Sequence, residues 1–206
     1  MHLNELVNEI LTKYDTRRAE APYLVGVDGL GGAGKTTLVQ QLKAELESTA
    51  KVVVLHMDNH IVERNKRYDT GYEEWYEYYF LQWDIEMLEE ELFKKVYNNE
   101  SKLTLPFYDI SVDQHKRNTI SISEDSIILI EGIFLQRKEW KPYFDFIVFV
   151  NCSKEKRFAR IVKRDTYLGD NQIILEKYKK RYWLAEDYYL ETENPVKSAD
   201  IVYNCL

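Results

Sequence analysis

The residues best suited to chemistry are gathered in Gly29-Leu30-Gly31-Gly32-Ala33-Gly34-Lys35-Thr36-Thr37, a Gly-x-x-x-x-Gly-Lys-Thr pattern lying between an apolar run and a helix-competent one. Five of the chain's eight glycines fall between Gly26 and Gly34. A loop wrapped round a polyphosphate needs positive φ and close backbone approach, which side chains would block. Its N–H groups and the positive end of the helix that follows would face the anion. Lys35 would set a charge on the β and γ phosphates of a nucleotide such as ATP, and Thr36 would offer its hydroxyl to Mg²⁺. The bland alternative is a glycine-rich turn of no chemical consequence.

Further candidates stand at the ends of apolar runs. Lys51 to Met57 ends at Asp58, and a carboxylate at the mouth of a strand beside the phosphate loop could take the proton of an attacking hydroxyl. The competing reading is that Asp58 caps the strand end or orders a Mg²⁺-bound water. Ser126 to Gly132 carries Glu131 after four aliphatics, the pattern that holds Mg²⁺ or its water shell opposite the loop threonine. Arg157, Arg160 and Arg164 share one helical face ahead of the polar break Asp165-Thr166-Tyr167-Leu168-Gly169-Asp170, so they could close over transferring phosphates; a solvated basic face is the alternative. Asp84, between two apolar residues, is a substrate-binding candidate. His56 and His60 read as packing or surface histidines.

These groups require a scaffold that brings strand ends together. Leu3, Leu6, Val7, Ile10, Leu11 and Tyr14 predict an amphipathic helix over the first sixteen or so residues. Tyr23 to Asp28 reads as the first strand, Thr37 to Glu47 as its helix, Lys51 to Met57 as the second strand, Ser126 to Gly132 as the third, Phe144 to Val150 as the fourth and Asp200 to Tyr203 as the fifth. The class is therefore α/β: a three-layer fold with a parallel five-stranded sheet, helices on both faces and a helical lid. One domain spans residues 1–206, with a nucleotide-binding βαβ core at 23–58, an acceptor-covering insertion at 70–118 and a lid at 157–175. Tyr72 to Val96 predicts a long amphipathic helix or helix pair. Leu103 to Asp109 reads as an extended piece broken by Pro106 and followed by a polar turn with His115, Lys116 and Arg117.

Composition limits the partners. With Lys+Arg 28 against Asp+Glu 35 the formal charge is -7, which argues against nucleic acid. No apolar run approaches a membrane span, and the expectation is a cytoplasmic protein acting on small molecules. Cys152 and Cys205 form no metal-type cluster and read as buried or terminal thiols of a reducing compartment. Sixteen tyrosines and four tryptophans suggest core or interface, which admits a homodimer.

The residues resemble the uridine kinase and phosphoribulokinase family of P-loop kinases. The likeness is carried by Val27 to Thr37, Asp58, Leu105-Pro106-Phe107-Tyr108-Asp109, Ile128 to Ile133, Arg160-Ile161-Val162-Lys163-Arg164-Asp165 and Lys197 to Val202, in the family's order over 23–203. It implies Asp58 as catalytic base, Glu131 as metal-linked acid, Tyr108 on the nucleoside side with Arg117 nearby, and Arg164 as a lid arginine. Asp113 stands where the family's histidine would fall, with His115 and Arg117 displaced by two residues. The lid also lacks further arginines after Arg164-Asp165.

The function expected is ATP- and Mg²⁺-dependent phosphorylation of a nucleoside such as uridine or cytidine. Alternatives are the same chemistry on pantothenate, a vitamin riboside or a phosphosugar, and a regulatory ATPase. A GTPase switch is disfavoured because Asn65-Lys66-Arg67-Tyr68 misses the acid of the guanine motif.

Overall fold

The computed structural model describes residues 1–17, 21–165 and 169–205; Thr166, Tyr167 and Leu168 of the expected lid break lie outside the described residues. A parallel sheet runs in the order β2-β5-β1-β6-β7. Its strands are β1 (Tyr23–Asp28), β2 (Lys51–His56), β5 (Ser126–Gly132), β6 (Phe146–Asn151) and β7 (Ile201–Asn204). Two further strands, β3 (Lys102–Asp109) and β4 (Gln114–Ser121), form a separate antiparallel ribbon.

Pleat alternation sorts the sheet's side chains onto two faces. Ile127 and Leu129 of β5 pack with Val25 and Val27 of β1 under helix α1 (Leu3–Thr16) and helix α2 (Lys35–Leu46), through Leu6, Ile10, Leu38 and Leu42. Ile128 and Ile130 point the other way. They meet Leu88, Leu92, Phe93 and Tyr189 of the helices on the opposite face. Because β1 and β5 are buried on both sides, they read as unbroken apolar runs, as strands inside a three-layer sandwich should.

The Tyr72 to Val96 stretch is a helix pair. Helix α3 (Glu74–Phe80) stops at Leu81, and α4 resumes over 85–97 with its middle, Glu89–Lys94, wound as π-helix. Much of the aromatic load is core: Trp83, Phe93, Phe134, Trp140 and Tyr189 are all buried. Helix α5 (Lys154–Arg164) precedes the expected lid break, and α6 covers 171–193 with Tyr178–Tyr182 as a π-wound segment.

The structure corrects two expectations. The polar turn after Pro106 is a strand: β4 pairs with all of β3, Pro106 opposite Arg117. A two-stranded ribbon leaves half its ladder positions unpaired, so a proline without an N–H is tolerated there, and a ribbon wet on its outer side gives no apolar alternation to read. Cys152 and Cys205 are bonded to each other, not free thiols, because β6 and β7 run side by side and end together.

Candidate active site

The glycine-rich loop leaves the carboxyl end of β1 and returns as α2, whose N-cap Gly34 sits at φ 100°. Gly32 has φ 78°, and a Cβ there would lie 2.9 Å from the Arg157 carbonyl oxygen, so neither backbone shape nor space admits a side chain. Lys35 Nζ donates to the carbonyls of Gly29 (2.8 Å) and Leu30 (3.2 Å). The ammonium is thus folded back into the loop. Burial lowers its pKa, against the pull of Asp58, Glu131 and Asp28.

Asp28, at the root of the loop, is fully buried and accepts from the Gly29 amide (2.8 Å), Gln136 Nε2 (2.9 Å) and Tyr189 Oη (2.5 Å). It is a structural knot between β1 and α6. Burial raises its pKa despite those donors.

Parallel register sets Glu131 beside both Val27 and His56. Thr36 Oγ1 donates to its two oxygens at 2.9 and 3.1 Å, and His56 Nδ1 lies 2.6 Å from Oε1. Burial pushes Glu131 up, but the His56 and Thr36 hydrogen bonds and Lys35 outweigh it and leave the carboxyl below its ordinary value. His56 is raised in return, chiefly by that same bond. It is therefore a partner of the site rather than a packing histidine. Thr36 and Glu131 present hard oxygen donors to one point, which suits Mg²⁺ carrying phosphate oxygens and water as its remaining ligands. Among the described residues no cluster of three or more ligating side chains offers a metal site independent of such phosphates.

Asp58 follows β2 in a short 3₁₀ turn, Met57–His60. Its carboxylate is wet, facing the cleft, yet walled in by protein on its other sides. That enclosure raises its pKa; Lys35 opposes the rise and Glu131 adds to it. The phosphate loop, Asp58, Glu131, Arg160 and Arg164 all line one cavity of about 540 Å³.

The three arginines of α5 have different partners. Arg157 is buried and ion-paired with Glu186 of α6 at 2.9 Å, while Glu186 Oε1 accepts from the Gly31 amide at 2.8 Å. Arg160 Nη1 donates to the carbonyls of Ala33 (3.1 Å) and Gly32 (3.4 Å). Arg164 reaches Asp165 through Nε (2.6 Å) and Nη2 (3.2 Å), and this pairing raises its already high pKa.

Residues 24–202 match the model of the phosphoribulokinase / uridine kinase family. The chain belongs to this family. A Staphylococcus aureus uridine kinase is 26% identical over 186 residues, covering 89% of this chain and 87% of that protein. A Lactobacillus helveticus uridine kinase is 25% identical over 154 residues, covering 72% and 70%. A solved structure described as a possible uridine kinase from Bacillus stearothermophilus is 44% identical and covers 98% of this chain and 100% of its own, with a TM-score of 0.80. D-glycerate 3-kinase from Cryptococcus neoformans shares the fold at 11% identity and TM-score 0.67, covering 91% and 87%. The chain is accordingly a P-loop kinase.

In this kinase the remaining expected acceptor residues are placed elsewhere. Asp84 caps α4, accepting from the Met87 amide at 3.0 Å. Tyr108 donates to Asp113 (2.7 Å) and receives Arg67, and Arg117 donates to the Thr104 carbonyl (2.8 Å) within the ribbon. None of the three lines the cavity. Its wall beyond Asp58 is made instead by Ile61, Tyr78, Gln82 and Tyr182. Gln82, 7% exposed, has a buried side-chain oxygen without a partner. Gln82 stands between Leu81 and Trp83, the same polar-within-apolar signal that singled out Asp84 two positions later. Glu186 carried no local signal, because its partners are Gly31 and Arg157, far away in the chain.

Proposed function

We propose that this kinase transfers the terminal phosphoryl group of Mg²⁺-bound ATP to a hydroxyl of a nucleoside such as uridine or cytidine. The observation that carries the reading is the shared cavity, which the phosphate loop with Lys35 and the carboxylate-bearing Asp58 line together. The polyphosphate would lie in the loop, with its metal held by Thr36 and approached by Glu131; the metal would offset charge on the phosphate oxygens. Lys35 would leave the Gly29 and Leu30 carbonyls for the β and γ phosphates. Arg164 and Arg160 would gather charge developing on the transferred group. Asp58 accepts the hydroxyl proton as the oxygen attacks phosphorus, and its raised pKa suits it to that task. A neighbouring groove of about 340 Å³ meets the cavity at Gly34, Thr37 and Arg160, and would take the base of the nucleotide.

The likeness to uridine kinases of S. aureus and L. helveticus supports the nucleoside. A second reading, another uncharged hydroxyl acceptor such as a vitamin riboside, is favoured by Tyr108 and Arg117 lying outside the cavity and by the uncharged wall of Ile61, Tyr78, Gln82 and Tyr182. Turnover of ATP across uridine, cytidine, pantothenate, a vitamin riboside and a phosphosugar tests both. Stimulation by uridine or cytidine, lost in Asp58→Asn, supports the nucleoside; stimulation by the riboside alone supports the second reading. Hydrolysis indifferent to every acceptor makes the protein a regulatory ATPase.

A further inference from the structure

Gln82 lines the cavity and is 7% exposed, yet among the described residues its Oε1 accepts no hydrogen bond. A buried amide oxygen without a donor costs the folded state its full desolvation penalty. Methionine has the same length and would fill the place without that cost, so packing alone does not call for an amide here.

The stretch that carries Gln82 is bonded to the chain on both sides of Asp58. The Val62 amide donates to the Gln82 carbonyl at 3.0 Å, and Ile61 and Trp83 form an antiparallel bridge. Trp83, itself buried, donates from Nε1 to the carbonyl of Met57, the residue before Asp58, at 2.8 Å. Met57 on one side of Asp58 and Ile61 and Val62 on the other are thus tied to the same short segment. A ligand gripped by the Gln82 amide would be set against Asp58 by a frame that already exists before binding.

The rest of that wall is flat and uncharged. The rings of Tyr78 and Tyr182 meet edge to face, centroids 4.7 Å apart at 86°, and Ile61 lines the same cavity. The wall therefore offers faces to a planar ring and one amide that both accepts and donates. A half-turn about Cγ–Cδ exchanges the amide oxygen and nitrogen within one envelope, so the side chain can meet a donor and an acceptor in either order.

We propose that Gln82 is a specificity-determining residue for the acceptor, pairing through its amide with the edge of a planar base that carries a donor beside an acceptor, an inference that rests on the nucleoside reading above. Uracil presents such an edge as N3–H and C4=O, and cytosine as N3 and its 4-amino group. That edge lies across the ring from the sugar, which leaves the sugar's hydroxyl free to reach Asp58.

The test is a cycle of two acceptors, uridine and N3-methyluridine, against the full wild-type chain and Gln82→Met, with ATP and Mg²⁺ saturating. Methylation removes the hydrogen that Oε1 accepts, and the substitution removes Oε1. Each should lower kcat/KM about tenfold, chiefly through KM, and the two together should cost little more than either alone, because they delete one hydrogen bond. The KM for ATP should not move. The melting temperature of Gln82→Met should equal or exceed that of the wild type, since an unmatched polar group has been removed. An unchanged KM for uridine in Gln82→Met, or losses that simply multiply, would overturn the proposal. So would a melting temperature well below the wild type's, which would make the amide a structural group. If Gln82→Met does not fold, Gln82→Glu keeps the shape and lacks the N–H; a raised KM for uridine upholds the proposal and an unchanged one overturns it. A wild-type chain that phosphorylates neither uridine nor cytidine would instead remove the nucleoside reading, and this inference with it.

Discussion

Gly31 donates its amide hydrogen to Glu186 Oε1 across 2.8 Å, and the other oxygen of that carboxylate lies 2.9 Å from Arg157 Nη1. The outer part of the phosphate loop is thus propped by an anion that the chain itself supplies from α6. Both side chains are buried, so removing one partner strands the other's charge at a cost of about 3–5 kcal/mol. Glu186→Met or Arg157→Met should lower urea-unfolding stability by that amount, and the double variant should lose far less than the sum of the two. Additive losses would mean that the pair is not coupled.

Lys35→Met removes the ammonium, whose hydrogen bonds among the described residues go to the Gly29 and Leu30 carbonyls, and leaves the helix backbone in place. Turnover should fall about 10²–10³-fold, as when a positioned donor to developing charge is lost. The melting temperature should stay within a few degrees. A variant that turns over normally would place the nucleotide's phosphates elsewhere.

Asp58 is exposed on its cleft side, and the protein that encloses its other sides is the largest influence on it, lifting its pKa above the ordinary carboxylate value. A base works when deprotonated, so the acid limb of kcat should lie above the usual carboxylate range, with rate lost as pH falls through it. Asp58→Asn should lower kcat by about 10²–10⁴-fold with little change in the KM for ATP, and should flatten that limb. Retention of the limb in the variant would assign it to another group.

Arg164 is exposed along much of its length, and its hydrogen bonds among the described residues go to Asp165 and, at 3.5 Å, to Tyr178, so it can swing toward the loop at little cost to the fold. Arg164→Ala should cut kcat by about a hundredfold while ATP affinity moves only a few-fold. An unchanged rate would return this arginine to a solvated helix face.

Glu77 and Arg181 form a second buried ion pair at 3.0 Å, linking α3 to α6. Burial would raise the Glu77 pKa, but the amide and hydroxyl of Thr70 and the Arg181 guanidinium outweigh it and hold the carboxyl below its free value. A depressed carboxyl gives stability that is present above its unfolded pKa and lost as pH falls toward the folded one. Denaturation curves taken from pH 6 downward should show this loss in the wild type. Glu77→Gln should begin less stable and fall less steeply; parallel curves would clear Glu77 of the effect.

The sheet was legible because its central strands β1 and β5 are apolar on both faces, and because Asp28, Asp58 and Glu131 stand at or just beyond the ends of apolar runs. The phosphate side followed from one loop pattern. The cavity wall beyond Asp58 was not legible, since it is assembled from α3, the turn after β2 and α6, and only packing decides that Gln82 lines the cavity while Asp84 caps a helix. Strand β4 hid behind polar residues, and the cysteine pair depends on β6 and β7 ending side by side, a matter of strand order that no spacing in the chain records.

Strand β1 is hydrogen-bonded on both flanks, to β5 and to β6. Its amides should therefore be among the last to exchange with deuterated solvent, while those of the rim helices trade early. The glycine-rich loop is thus slung from one of the strands anchored on both sides, so that loosening of the outer helices would leave the footing of that loop undisturbed.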